Sequence, residues 1–122
     1  MKKTILVIDD SPFASKQVEN IVEGKGYKVL GHAKTGEEGI TMYQDLRPDF
    51  VILDIIMPGI DGLETAELLL KEDKKAKILM LSSLCDSSTL EEIKSLGLKY
   101  LLAKPIETDL LLATLELLTK QA

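Results

Sequence analysis

Five short runs rich in β-branched and aliphatic residues punctuate the chain: Thr4–Ile8, Lys28–Ala33, Phe50–Leu53, Lys77–Leu81 and Tyr100–Ala103. Between them, apolar positions recur at helical intervals. Ser11 is placed to cap a helix that opens on Pro12, where a missing N–H costs nothing. Val18, Ile21 and Val22 give that helix one apolar face, and Gly24 and Gly26 end it. Further helices are expected over Thr35–Leu46 (closed by Arg47-Pro48), Leu63–Glu72, Ser87–Leu96 (stopped by Gly97) and Thr108–Lys120. Strands alternating with helices indicate a doubly wound parallel sheet of five strands flanked by five helices, with right-handed crossovers. Phe50–Leu53 and Lys77–Leu81 read as central strands. Lys28–Ala33, with Lys28, Gly31 and His32, reads as an edge.

The last helix carries two apolar stripes. Leu111, Leu115 and Leu118 form a core face, while Leu110, Ala113 and Leu117 fall on a second line, with Asp109, Glu116 and Lys120 on the solvated side beyond. Met42, Met57 and Met80 read as packing residues.

Composition narrows the class. With 122 residues, 45% of them hydrophobic, the chain suits one domain, residues 1–122, with a real core. Its net charge of −5, with Lys and Arg scattered, opposes direct nucleic-acid binding. No signal-peptide core fits between Lys3 and Asp9, and no apolar run approaches a membrane span. One cysteine, Cys85, forms no intrachain disulfide and suits a reducing compartment, so a cytoplasmic location is expected. Cys85 itself reads as incidental to function, and His32 as structural or solvated.

In open parallel sheets, ligands bind beyond the carboxyl ends of the strands. Four of the predicted strands deliver chemistry to that rim. The first runs into Asp9-Asp10, the third into Asp54, the fourth into Ser82 and the fifth into Lys104. Each alone is an ordinary turn former, cap or loop residue. Together, three carboxylates in one cleft demand compensation, by protonation of one or by a bound cation. Oxygen ligands without His or Cys select a hard ion such as Mg²⁺. A lysine and a hydroxyl beside them complete the parts needed to hold a phosphoryl group, and a carboxylate can itself be the nucleophile.

The motifs VIDDS (7–11), VILDIIMPGIDG (51–62), LMLSS (79–83) and LLAKP (101–105) stand in the order and spacing of the response-regulator receiver domains of two-component signalling, which the whole chain resembles. The resemblance implies a flavodoxin-like sheet of order 2-1-3-4-5. It implies that Asp54 accepts a phosphoryl group from a sensor histidine kinase or phosphotransfer protein, with Mg²⁺ held by Asp10 directly, by Asp9 mainly through water, by Asp54 and by the backbone carbonyl of Ile56. Ser82 would bind a phosphoryl oxygen, and Lys104, aimed by a cis bond to Pro105, would pair with the phosphoryl group. The product would be a conformation that controls a downstream protein, or a homodimer, through the face of the fourth helix, fifth strand and fifth helix, where Leu101, Leu110 and Leu117 would lie. One position departs from the family. Where members usually carry Tyr or Phe, three residues before the lysine, this chain has Leu101. Tyr100, one residue earlier, faces the other way by strand alternation. The aromatic half of the usual switch is therefore expected to be absent or altered.

Three other classes compete with this one. A phosphatase with an aspartyl nucleophile would place D-x-D after the first strand, whereas this chain has D-D, and 122 residues leave no room for a substrate-covering cap. A flavin carrier needs a phosphate-cradling loop there, which Asp9-Asp10 would repel. A phosphorylation-independent interaction module is disfavoured by the complete residue set. Nothing after Lys120 reads as an output region, so signalling is expected through direct contact or from within a longer regulator.

Overall fold

Alternation of strand and helix runs the length of this computed structural model, which describes residues 2–83 and 86–121. The elements are β1 (Lys3–Ile8), α1 (Pro12–Val22), β2 (Tyr27–Ala33), α2 (Gly36–Leu46), β3 (Phe50–Asp54), α3 (Gly62–Glu72), β4 (Ile78–Ser82), α4 (Ser87–Ser95), β5 (Leu101–Ala103) and α5 (Thr108–Lys120). The five strands form one parallel sheet in the order β2-β1-β3-β4-β5, as the resemblance implied. The mixed strand β2 is indeed an edge.

Boundaries moved by a residue or two. β3 and β4 extend to Asp54 and Ser82, while Lys77 and Tyr100 fall outside their strands. Thr35 is a cap rather than a helical residue: its side chain accepts the Glu38 N–H. Ser11 caps α1 by accepting from Ala14, with Pro12 in the first turn. The turn glycines Gly24 and Gly97 take positive φ angles of 73° and 84°, conformations disfavoured for any residue with a Cβ. The predicted Cys85 lies outside the described residues.

Side-chain alternation sorts the core into two layers. Leu6, Ile8, Val51, Leu53, Ile78 and Met80 face one side, packed with Tyr43, Ala66, Leu69 and Ile93 of α2, α3 and α4. Ile5, Val7, Phe50, Ile52, Leu79 and Leu81 face the other, against Val18, Val22, Leu111, Leu115 and Leu118 of α1 and α5. The predicted core stripe of α5 is thus buried, while Leu110 and Leu117 on its second stripe are about half exposed, 47% and 51%. Met57 and Met80 are buried and Met42 packs at the edge of the core. Tyr100 joins the α1/α5 layer and Leu101 the opposite one, the divergence expected of neighbours on a strand. No helix among the described residues is long and apolar enough to cross a membrane.

Candidate functional site

The same alternation that builds the two layers aims the acids. Continuing the series Ile5, Val7 past β1 brings Asp9 to the α1/α5 side, and Phe50, Ile52 leads to Asp54. Leu102 on β5 leads likewise to Lys104. These three side chains meet. The Lys104 ammonium lies 2.8 Å from Asp9 Oδ2 and 3.4 Å from Asp54 Oδ2. Asp9 is fully buried and Asp54 is 5% exposed, so the ammonium compensates two carboxylates removed from water. The Lys104-Pro105 bond is cis, as the resemblance implied.

Asp9 is held at every polar atom. Its N–H donates to the Ala33 carbonyl (2.9 Å), extending the β1–β2 ladder. Its carboxylate accepts from the Ser11 N–H (2.9 Å) through Oδ1 and from Lys104 Nζ (2.8 Å) through Oδ2. Its carbonyl meets His32 Nε2 at 2.6 Å. Asp10, by contrast, is exposed. The three acids converge: Asp9, Asp10 and Asp54 each offer a carboxylate oxygen within 4.8 Å of the others. An oxygen-only cluster of this kind matches the donor preference of Mg²⁺.

The electrostatics follow from this crowding. Burial first, and the Asp9 charge second, push the Asp54 carboxyl above its ordinary value, while Lys104 and the Ile56 N–H pull it back. Burial works against the charge of Lys104, but hydrogen bonds and attraction to Asp9 and Asp54 outweigh it, and the ammonium is held above its usual range.

Ser82 ends β4, buried, one residue beyond the partner of Asp54 in the β3–β4 register. Its carbonyl accepts the Lys104 N–H at 2.9 Å, which ties the lysine's main chain to the same rim. Ile56 lies in the β3–α3 connection, two residues past Asp54. Two neighbours escaped the sequence reading. Gly62 donates its N–H to the Ile55 carbonyl (2.7 Å), and a Cβ there would stand 2.1 Å from the main-chain oxygen of Asp54. Phe13, 76% exposed, flanks an apolar hollow lined by Gln17, Lys104, Pro105 and Ile106 beside the acids.

Comparison with known proteins agrees with this geometry. The chain is 33% identical over 112 residues to the chemotaxis protein CheY of Listeria monocytogenes, covering 92% of this chain and 94% of that one. It is 31% identical over 120 residues to CheY of Thermotoga maritima, covering 98% and 100%. Among solved structures, a CheY in a CheX–CheY–BeF3–Mg complex from Borrelia burgdorferi superposes with a TM-score of 0.92 at 28% identity, covering 98% of this chain and 90% of that one. CheY4 of Vibrio cholerae gives 0.89 at 29% identity, covering 97% and 99%. The response regulator receiver domain family matches residues 5–116, and the chain belongs to it.

Proposed function

We propose that this receiver domain accepts a phosphoryl group on Asp54 from a phosphohistidine of a sensor kinase or phosphotransfer protein, with Asp9 and Asp10 holding Mg²⁺ beside it. Receiver domains are signalling switches. The observation that carries the assignment to Asp54 is its placement: a buried carboxylate at the end of a central strand, within 3.4 Å of a lysine and next to two further acids.

Asp54 supplies the nucleophile. One carboxylate oxygen forms a bond to phosphorus as the phosphorus–nitrogen bond of the donor breaks, and the electron pair returns to the imidazole. When bound, Mg²⁺ offsets the charge of the acids and of the phosphoryl oxygens. Lys104, which the two carboxylates share, would turn its charge toward the incoming phosphoryl group. Ser82, on the same rim, contributes a hydroxyl for a phosphoryl oxygen, and Ile56 a main-chain carbonyl for the metal. Burial of Asp54 limits the access of water to the product.

The output surface follows from α4, β5 and α5. Leu90 on α4 (41% exposed) and Leu110 and Leu117 on α5 are the most exposed leucines of the described residues, and Leu101 on β5 is half-buried. An apolar surface of this kind suits a protein partner or a second copy of the chain. Phosphorylation is expected to control its occupancy.

Intact mass after incubation with acetyl phosphate and Mg²⁺ tests the assignment. One added phosphoryl group is expected, absent in Asp54→Asn and absent when Mg²⁺ is chelated. No gain by the wild type, or an undiminished gain by Asp54→Asn, refutes it.

A further inference from the structure

His32 stands apart from the phosphoryl chemistry, yet its ring touches the acid pair through the main chain. Its Nε2 lies 2.6 Å from the carbonyl oxygen of Asp9. A carbonyl only accepts, so Nε2 carries a proton and donates it here. The contact is made where the sheet stops providing partners. The Asp9 N–H still bonds the Ala33 carbonyl, but β2 ends at Ala33 and the chain turns toward α2. The Asp9 carbonyl therefore projects past the ladder, and His32, lying beside Val7 in the β1–β2 register, reaches forward to it.

A peptide unit is planar, so fixing the Asp9 carbonyl fixes the whole plane between Asp9 and Asp10. That plane sets the direction of the Asp10 N–H and the position of its Cα, and so where the Asp10 carboxylate starts. Asp9 needs little help, because its side chain is pinned by Ser11 and Lys104. The exposed Asp10 carboxylate has no hydrogen bond among the described residues, and its aim is inherited from the backbone. We infer that His32 is a positioning residue for the acid pair: its Nε2–H clamps the Asp9–Asp10 peptide and holds the Asp10 carboxylate toward Asp54 in advance of the cation. The metal part of this inference rests on the function proposed above.

Outer-shell partners of metal ligands set ligand orientation, and their loss typically weakens metal binding about tenfold or more. The test compares wild type, His32→Ala and His32→Gln, since the Gln amide nitrogen reaches about as far from the backbone as Nε2. Two quantities are read: Mg²⁺ affinity by calorimetric titration, and the Asp10 and Ser11 amide resonances of the metal-free protein. His32→Ala is expected to lose about tenfold in affinity and to shift both amides, and His32→Gln to restore both. The wild-type imidazole ¹⁵N spectrum should show the proton on Nε2. Unchanged affinity in His32→Ala, failure of Gln to restore what Ala loses, or an Nε2 that carries no proton overturns the inference. The last reading needs no variant to fold. A wild type that binds no Mg²⁺ defeats the metal function instead. In that event the metal-free amides alone decide the clamp, upheld if they shift in Ala and return in Gln, and refuted otherwise.

Discussion

Replacing Lys104 by methionine keeps most of the side-chain volume and deletes the charge that Asp9 and Asp54 share. The wild-type ammonium lies 2.8 Å from one carboxylate and 3.4 Å from the other. Without it, two buried carboxylates with oxygens within 4.8 Å of each other repel by roughly 3 to 4 kcal/mol at an effective dielectric near 20. Breaking a buried pair by removing one partner typically costs about 3–5 kcal/mol. The lysine side chain is 24% exposed, so part of its worth is screened by water, and a net loss of about 3 kcal/mol is expected for the metal-free protein at neutral pH. In urea, with a slope of about 1–3 kcal/mol per molar for a domain of this size, the midpoint should fall by about 1–3 M. The deficit has a signed pH dependence. Burial and the Asp9 charge already hold Asp54 above 3.8, and losing the ammonium raises it further. The folded variant then keeps a proton that the unfolded chain has released, so its stability falls as pH rises from about 4 upward, and the loss relative to wild type is largest near neutrality. Adding Asp54→Asn to Lys104→Met removes one of the repelling charges and should recover a large part of the loss. Lys104 does not balance the two carboxylates if Lys104→Met unfolds within about 0.5 M of wild type in chelator at neutral pH, a bound set at about half of the smallest expected shift, or if the double variant is no more stable than the single.

Gly62→Ala should lose about 3 kcal/mol or more in urea unfolding, because the added Cβ meets the Asp54 oxygen at 2.1 Å and the Ile55 Cα at 2.6 Å, both main-chain atoms with little room to yield. Asp10→Ala should weaken Mg²⁺ binding in a calorimetric titration more than Asp9→Ala, because both oxygens of Asp9 are already committed to Ser11 and Lys104 while Asp10 is exposed. Light scattering with and without a phosphate mimic and Mg²⁺ should show association of the wild type that the Leu110→Ser, Leu117→Ser double variant abolishes. A monomer throughout would remove self-association and leave a foreign partner for that face.

The sheet was legible because buried parallel strands write themselves as apolar runs, and the acids because they interrupt those runs at their carboxyl ends. Asp9, Asp54 and Lys104 share a parity along their strands that the sequence displays once the strands are identified. What stayed hidden depends on neighbours distant in sequence. His32 reads as an unremarkable edge residue until β2 is laid beside β1 in register, which carries its ring to the Asp9 carbonyl. Gly62 looks like one more glycine in a loop, and only the return of that loop across β3 shows that a side chain has no place there. Composition alone extends two strands back to Lys77 and Tyr100, which lie one residue outside them although their carbonyls still accept inter-strand bonds from the Val51 and Met80 N–H groups.

β5 is the shortest strand, three residues on an open edge. One of its ends is anchored through Lys104 to acids of β1 and β3, strands it never pairs with. Leu101 occupies the other end and packs against the core layer that also holds Ile93 of α4. Lys104 is therefore a tether that reaches past β4 and ties the three-residue edge strand to acids beyond it. Whatever redirects the ammonium slackens or tightens that tether, and the far end of the ribbon is only three residues away, roughly 10 Å. Under the function proposed above, the strand itself is the expected connecting rod between the acids and the Leu101 end, over a path of three residues.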